Sequence, residues 1–282
     1  MPKIWEVYSN AINKGKDHGV LSADLRLLIA YDMGYDLPID TLYHKDDEMT
    51  TQLELFEKQF ERLMNNEPVE YIINEAKFLE YKLYVDPNVL IPRMETQELV
   101  ANITERIMDY YDPRNYLVCA DIGTGSGAIA LALKGNFRNW LMSASDVSKP
   151  ALEIAKKNFE KYGVAINTFE GKSLDPYIEA NMNLDIIVSN PPYIRNRDDV
   201  QSSVRDYEPS GALYLEDDNN VYEGIFKNYE KVKKGTLLMC FEIGYDLEDE
   251  LKALMAKYLK NYEFEFVKDL NDMTRFLFVF CK

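Results

Sequence analysis

Two short runs in this chain combine residue types and spacing that could do chemistry. The first is Asp121-Ile122-Gly123-Thr124-Gly125-Ser126-Gly127, which follows an apolar stretch and opens a helical one. Glycines let a backbone turn sharply and approach a ligand, and a helix start offers free N–H groups. The spacing is G-x-G-x-G, not the G-x-G-x-x-G of dinucleotide sites. Asp146 ends the next apolar stretch, 23 positions after Gly123. A carboxylate there can accept both hydroxyls of a ribose. The pair suits an adenosine-bearing cofactor, and the spacing together with Asp121 favours S-adenosylmethionine over NAD. Asp121 either holds the loop or lies near the cationic end of the cofactor.

The second run, Asn190-Pro191-Pro192-Tyr193, leaves the apolar segment LDIIVS. It suits methylation of a planar nitrogen. The lone pair of an amide or exocyclic amino nitrogen is delocalised, and its N–H is far too weak an acid to ionise near neutrality. A site can instead bind both N–H groups with acceptors and direct the nitrogen at a methyl donor. Asn190 Oδ1 and the Pro191 carbonyl are two acceptors on one rigid corner, with Tyr193 as a wall for the planar group. Alignment and desolvation carry such a reaction, and the sulfonium supplies the activation. The only histidines are His18 and His44. The remainder of the chain therefore uses no His base, no Ser–His or Cys–His pair and no His-ligated metal.

Alternating elements must position these runs. Strands are expected at LVCAD, WLMSASD, INTFEG, LDIIVSN and TLLMCFEIG, with helices between them, and YEFEFVKD and RFLFVFCK close the chain as an antiparallel pair. Ser148, Pro150 and Gly163 mark the ends of one helix. This alternation predicts an α/β fold with a mainly parallel sheet covered on both faces. The N-terminal part reads as helical, with helices at Leu21–Met33, N-capped by Ser22, and at Thr50–Asn65, whose Leu53, Phe56, Phe60 and Leu63 share a face. Between the two parts, FLEYKLYVDPNVLIP reads as a hairpin around Asp86-Pro87-Asn88.

The 282 residues carry a net charge of −16, with 46% hydrophobic and 28% charged residues. Such a surface repels phosphate backbones and argues against broad nucleic-acid binding. Cys119, Cys240 and Cys281 form no CxxC pair, and no long apolar run occurs, so a reducing, cytoplasmic setting and no membrane span are expected.

Taken together, DLRLLIAYDMG, EPVEYI, VLIPRMETQELV, DIGTGSGAIAL, SNPPYI, YEPSGAL and FEIGYD resemble the peptide chain release factor N(5)-glutamine methyltransferase family over essentially the whole chain. The resemblance implies a class I S-adenosylmethionine-dependent methyltransferase fold, Rossmann-like with a mostly parallel seven-stranded sheet. It implies a helical substrate-recognition domain at 1–74, a hairpin linker at 75–92 and a methyltransferase domain at 93–282. The substrate would be the glutamine of the Gly-Gly-Gln motif in class 1 peptide chain release factors, and the protein would act as a monomer. Gly123, Thr124, Gly125, Ser126 and Gly127 would cradle the methionyl part of the cofactor, and Asp146 its ribose. Asn190 would touch cofactor and substrate, with Pro191, Pro192 and Tyr193 completing the glutamine pocket. No metal is implied. Asn74 stands where the family usually has glycine, and an Asn can also take left-handed angles. Ser173-Leu174 replaces a pair that often includes Asp and an aromatic residue, and leaves Leu174 to pack on the adenine. Arg93 and Glu95 fit either an interdomain salt bridge with a helix-start charge or a contact with the protein substrate. Glu208 reads as structural. The alternative activity is a nucleobase exocyclic-amine methyltransferase, which the acidic charge disfavours.

Overall fold

A computed structural model of the chain describes residues 2–49, 53–112, 114–215 and 220–282. The chain divides into two units, Met1–Glu75 with Asp198–Tyr207, and Ala76–Arg197 with Glu208–Lys282.

The first unit begins with helices α1 (Ile4–Gly15), α2 (Ser22–Met33), α3 (Asp40–Tyr43), α4 (Leu53–Met64) and α5 (Val69–Ile73). Ile4, Val7, Leu25, Leu28, Phe56 and Phe60 are part of its core. The face read from α4 is borne out at Phe56, Phe60 and Leu63, while Thr50–Gln52 lie outside the described residues. Ser22 does not cap α2. It is the first helical residue, preceded by extended Leu21, and its hydroxyl lies 2.8 Å from that of Tyr8. Asn74 ends α5 with φ at 53°, the left-handed conformation in which Asn substitutes for glycine.

In the second unit, β1 (Ala76–Phe78) pairs antiparallel with β2 (Tyr81–Leu83), and α6 (Met94–Tyr110) follows. Next come β3 (Val118–Ile122), α7 (Ala128–Asn136), β4 (Leu141–Asp146), α8 (Lys149–Lys161), β5 (Asn167–Glu170), α9 (Asp175–Glu179) and β6 (Leu184–Ser189). The short helix α10 (Ser202–Tyr207) belongs to the first unit, where Asn66 Nδ2 donates to Ser202 Oγ at 2.7 Å and Tyr207 Oη to the Asn65 carbonyl at 2.9 Å. By sequence position that segment falls within the expected methyltransferase domain at 93–282. It carries no periodic signal long enough to show that its partners lie more than 130 residues upstream. The chain ends with α11 (Ser210–Leu213), α12 (Val221–Asn228), β7 (Lys233–Glu242), α13 (Glu248–Tyr258), β8 (Tyr262–Lys268) and β9 (Thr274–Cys281).

The seven-stranded sheet has the order β5-β4-β3-β6-β7-β9-β8. Its first five strands are parallel, and β9 runs antiparallel between β7 and β8. Central strands such as VCADI and LDIIVS are buried along nearly their whole length because helices cover both faces. One core includes Leu99, Ile103 and Ile107 of α6 with Leu131 and Phe159, and the other includes Tyr222, Phe226, Leu251 and Met255. Each such side chain contributes roughly 1.5–3 kcal/mol on burial. The sheet is therefore a rigid base from whose C-terminal edge the functional loops emerge. Among the described residues, no helix is long and apolar enough to cross a membrane.

Candidate active site

A cavity of about 340 Å³ opens in the second unit, at the C-terminal ends of β3, β4, β5 and β6. That is the position where open α/β sheets bind ligands. Its floor is the glycine-rich loop. Gly123, Gly125 and Gly127 have φ of 71°, 53° and 83°. At Gly123 and Gly125 no heavy atom lies within 4 Å of an added Cβ, so these positions need glycine for their backbone angles. At Gly127 an added Cβ would also come within 2.5 Å of the Phe159 ring.

The loop is tied down from three sides. The Ser145 carbonyl accepts from Gly123 N at 2.8 Å and Thr124 N at 2.9 Å. Asp121 Oδ2 accepts from Thr124 Oγ1 at 2.6 Å and Ala130 N at 3.1 Å. Asn158 of α8 donates through Nδ2 to the Ser126 carbonyl at 2.8 Å and the Tyr84 carbonyl at 3.0 Å, while its Oδ1 accepts from Tyr84 N at 2.7 Å. Asp121 is fully buried and does not line the cavity, so of the two roles open to it, it holds the loop. Burial pushes its carboxyl up to about 7, against the hydrogen bonds from Thr124 and Ala130.

Asp146 lines the cavity at the end of β4. Its Oδ2 accepts from Gly125 N at 3.0 Å and its Oδ1 from Ser148 N at 2.9 Å. Each carboxylate oxygen has a second lone pair, which leaves capacity for two hydroxyls. Burial raises its pKa, opposed by those backbone donors.

The Asn190 corner leaves β6 beside β3, where Ser189 Oγ donates to the Ile122 carbonyl at 2.6 Å. Asn190, Pro191 and Pro192 line the cavity. Asn190 Nδ2 donates to Thr96 Oγ1 at 3.0 Å, and Thr96 Oγ1 donates to Glu242 Oε2 at 2.7 Å. Among the described residues, neither Asn190 Oδ1 nor the Pro191 carbonyl has a hydrogen-bond partner. Two acceptors therefore stand ready on one proline-stiffened corner.

Residues 97–216 match the Methyltransferase small domain family. The chain is 35% identical over 252 residues to the release factor glutamine methyltransferase of Bacillus subtilis, covering 88% of each chain. It is 36% identical to the enzyme of that name from Streptococcus pneumoniae, covering 85% of each. The chain belongs to the release factor glutamine methyltransferase family. The fold is shared with a methyltransferase from Pyrococcus furiosus, at a TM-score of 0.50 and 15% identity over 79% of this chain and 98% of that one.

In this member of the release factor glutamine methyltransferase family, Gly123–Ser126, Asp146, Asn190, Pro191 and Pro192 all meet at the cavity. Gly127 lies just behind them as the turn into α7. Two expected residues are not there. Leu174 is fully buried in the core that includes Ile122 of β3 and Phe226 of α12, and it does not line the cavity. Its neighbour Ser173 does, with φ at 50° and a buried Oγ that has no hydrogen-bond partner among the described residues. Leu174 lies in the turn between β5 and α9, where its apolar side chain enters the core and leaves Ser173 at the cavity wall. Tyr193 does not wall the cavity either. Its hydroxyl donates to Glu242 Oε1 at 3.1 Å, and its ring centroid lies 5.7 Å from the Arg275 guanidinium. Burial drives its pKa well upward.

Arg93 pairs with buried Glu208, whose Oε2 also accepts from Ile91 N at 3.2 Å. Both belong to the second unit, so the pair is not the interdomain bridge considered for Arg93. It joins the strap before α6 to the segment carrying Pro209, and both of these line the cavity. Thr96, Asn158 and Glu242 were not foreseen. A lone Thr or Asn within a helix and a Glu at a strand end carry no signal until the fold sets them beside the loops.

Proposed function

We propose that this protein transfers the methyl group of S-adenosylmethionine to the side-chain amide nitrogen of the glutamine in the Gly-Gly-Gln motif of class 1 peptide chain release factors. The observation that carries this reading is the pair of open acceptors, Asn190 Oδ1 and the Pro191 carbonyl, on the cavity wall.

The residues present fit the cofactor. The glycine cradle is open above Gly123 and Gly125, and Asp146 retains lone pairs for a ribose. When bound, the cofactor supplies a methyl carbon attached to a positive sulfur. Asn190 and Pro191 accept the two N–H groups of the glutamine amide and turn the face of its nitrogen towards that carbon. Holding the nucleophile this way replaces general-base activation: as the N–C bond forms and the C–S bond breaks to leave a neutral thioether, the nitrogen becomes acidic and gives up one proton to solvent. Val89, Leu90 and Ala212 give the cavity apolar walls that reduce the water around the reacting amide once substrate fills it. The charge of −16 favours a protein substrate over nucleic acid, and the same reading takes the enzyme to be a cytoplasmic monomer.

Mass spectrometry of the Gly-Gly-Gln peptide, after incubation of a purified release factor with the protein and S-adenosylmethionine, tests the assignment. A gain of one methyl on the glutamine is expected. Equal labelling of a release factor with that Gln changed to Ala would defeat it.

A further inference from the structure

Asn190 works only one way round. Its Oδ1 end accepts an N–H, whereas its Nδ2 end would confront the substrate amide donor to donor. Nothing in the two prolines decides which end faces the cavity. The chain of hydrogen bonds behind Asn190 does.

We propose that Thr96 and Glu242 are positioning residues that set the amide orientation of Asn190, by a one-way relay of hydrogen bonds from Asn190 Nδ2 through Thr96 Oγ1 to the Glu242 carboxylate. The proposal rests on the functional reading above. An ionised carboxylate only accepts, so the single proton of the Thr96 hydroxyl goes to Glu242 Oε2 at 2.7 Å. The Thr96 oxygen then has only lone pairs left for Asn190, and it takes Nδ2–H at 3.0 Å. Tyr193 Oη donates to the other oxygen, Oε1, at 3.1 Å and closes that side of the carboxylate to rearrangement. Glu242 is fully buried, which excludes competing water from its carboxylate, while Thr96, also buried, stands at the cavity wall between it and Asn190. The Glu242 main-chain carbonyl is held as well, accepting from Tyr222 Oη at 2.8 Å.

The relay has a protonation state in which it fails. A neutral Glu242 can return a proton to Thr96 Oγ1, leaving the hydroxyl free to donate to Asn190 and to favour the amide's opposite end. The charged and titratable groups facing Glu242 are Arg275 on β9, Glu95 at the start of α6, and the hydroxyls of Tyr193 and Tyr222. Arg275 favours the ionised form but is engaged by Asp269 at 3.2 Å and the Ile243 carbonyl at 3.1 Å, and Glu95 opposes it. Burial outweighs the Thr96, Tyr193 and Arg275 contributions and pushes the carboxyl up to about 7, so the switch falls near neutrality.

The test compares wild type, Thr96→Val, Thr96→Ser and Glu242→Gln, reading kcat and KM on a release factor against pH, cofactor affinity by calorimetry, and the Asn190 side-chain NH2 resonances by NMR. Thr96→Val is expected to lower kcat about 10- to 100-fold by misaligning the nucleophile, with cofactor affinity within about twofold. Thr96→Ser restores kcat to within about threefold, because it restores the hydroxyl. Wild-type kcat falls as pH drops through about 7, and Glu242→Gln loses that limb, whereas any limb due to Asp121 persists in it. The Asn190 NH2 signals shift across the same range in wild type and not in Glu242→Gln. Wild-type kcat in Thr96→Val, equal damage in Thr96→Ser and Thr96→Val, or NH2 signals indifferent to Glu242 would each overturn the relay. If wild type does not methylate the release factor, the functional reading fails, and the NH2 titration still decides the relay.

Discussion

Asn190 and Asp146 divide the chemistry of the site, and single substitutions separate their roles. Asn190 offers its acceptor to the amide being methylated, so Asn190→Ala is expected to lower kcat by about 100-fold, the scale of lost alignment. Its effect on cofactor affinity, read by calorimetry, stays small. Asp146 stands at the ribose position. Asp146→Ala removes charge-assisted hydrogen bonds worth about 1.5–3 kcal/mol, so cofactor dissociation constants rise on the order of 10- to 100-fold. It also frees Gly125 N and Ser148 N, which adds a loss of order in the loop. Measured effects in the opposite order would reverse the role assignment. At this scale the sequence was informative where chemistry restricts residue type. Gly123, Gly125, Asp146 and the Asn-Pro-Pro corner all reach the cavity, while Leu174 does not, because hydropathy in a turn cannot show which way that turn rotates.

The elements around the site hold it by a few cross-links. Asn158 of α8 is the strongest, since one side chain joins the glycine loop at Ser126 to both backbone groups of Tyr84 in the strap. Asn158→Ala leaves those groups without their partner, at about 1–3 kcal/mol for each one buried and unsatisfied. A melting temperature lower by roughly 5 °C or more is expected, with weakened cofactor binding, and calorimetric scanning reads both. Gly127→Ala meets the Phe159 ring and a left-handed backbone together, so it should destabilise the α7–α8 contact more than Gly123→Ala, where space is open. Urea midpoints of the two variants compare them directly. The cap of α8 was legible, with Ser148 Oγ accepting from Ala151 N at 3.3 Å. Asn158 was not, because within α8 it looks like one more polar residue and only the packed strap explains its burial.

Across the whole molecule, buried acids make stability depend on pH. Asp121 and Glu242 both have folded-state values raised to about 7, above their ordinary range. A raised carboxyl binds its proton more tightly in the folded chain, so its stabilising contribution is fully present below the unfolded value. That contribution is lost as pH rises through about 7. Glu242→Gln removes this dependence at one site. The melting temperature of the variant relative to wild type should therefore increase from pH 5 to pH 8. A constant difference across that range would show that Glu242 does not titrate in the folded protein.

The sequence by itself determined the class of fold, the glycine loop, the acid ending the second parallel strand and the Asn-Pro-Pro corner. Hydrophobic periodicity and backbone restriction act locally and leave their mark on neighbouring residues. Only the tertiary structure decided that Ser173 rather than Leu174 meets the cavity, that Asp198–Tyr207 belongs with the N-terminal helices, and that Thr96 and Glu242 stand in line behind Asn190. The last of these depends on hydrogen bonds between residues 94 and 146 positions apart, and local sequence carries no record of such partners.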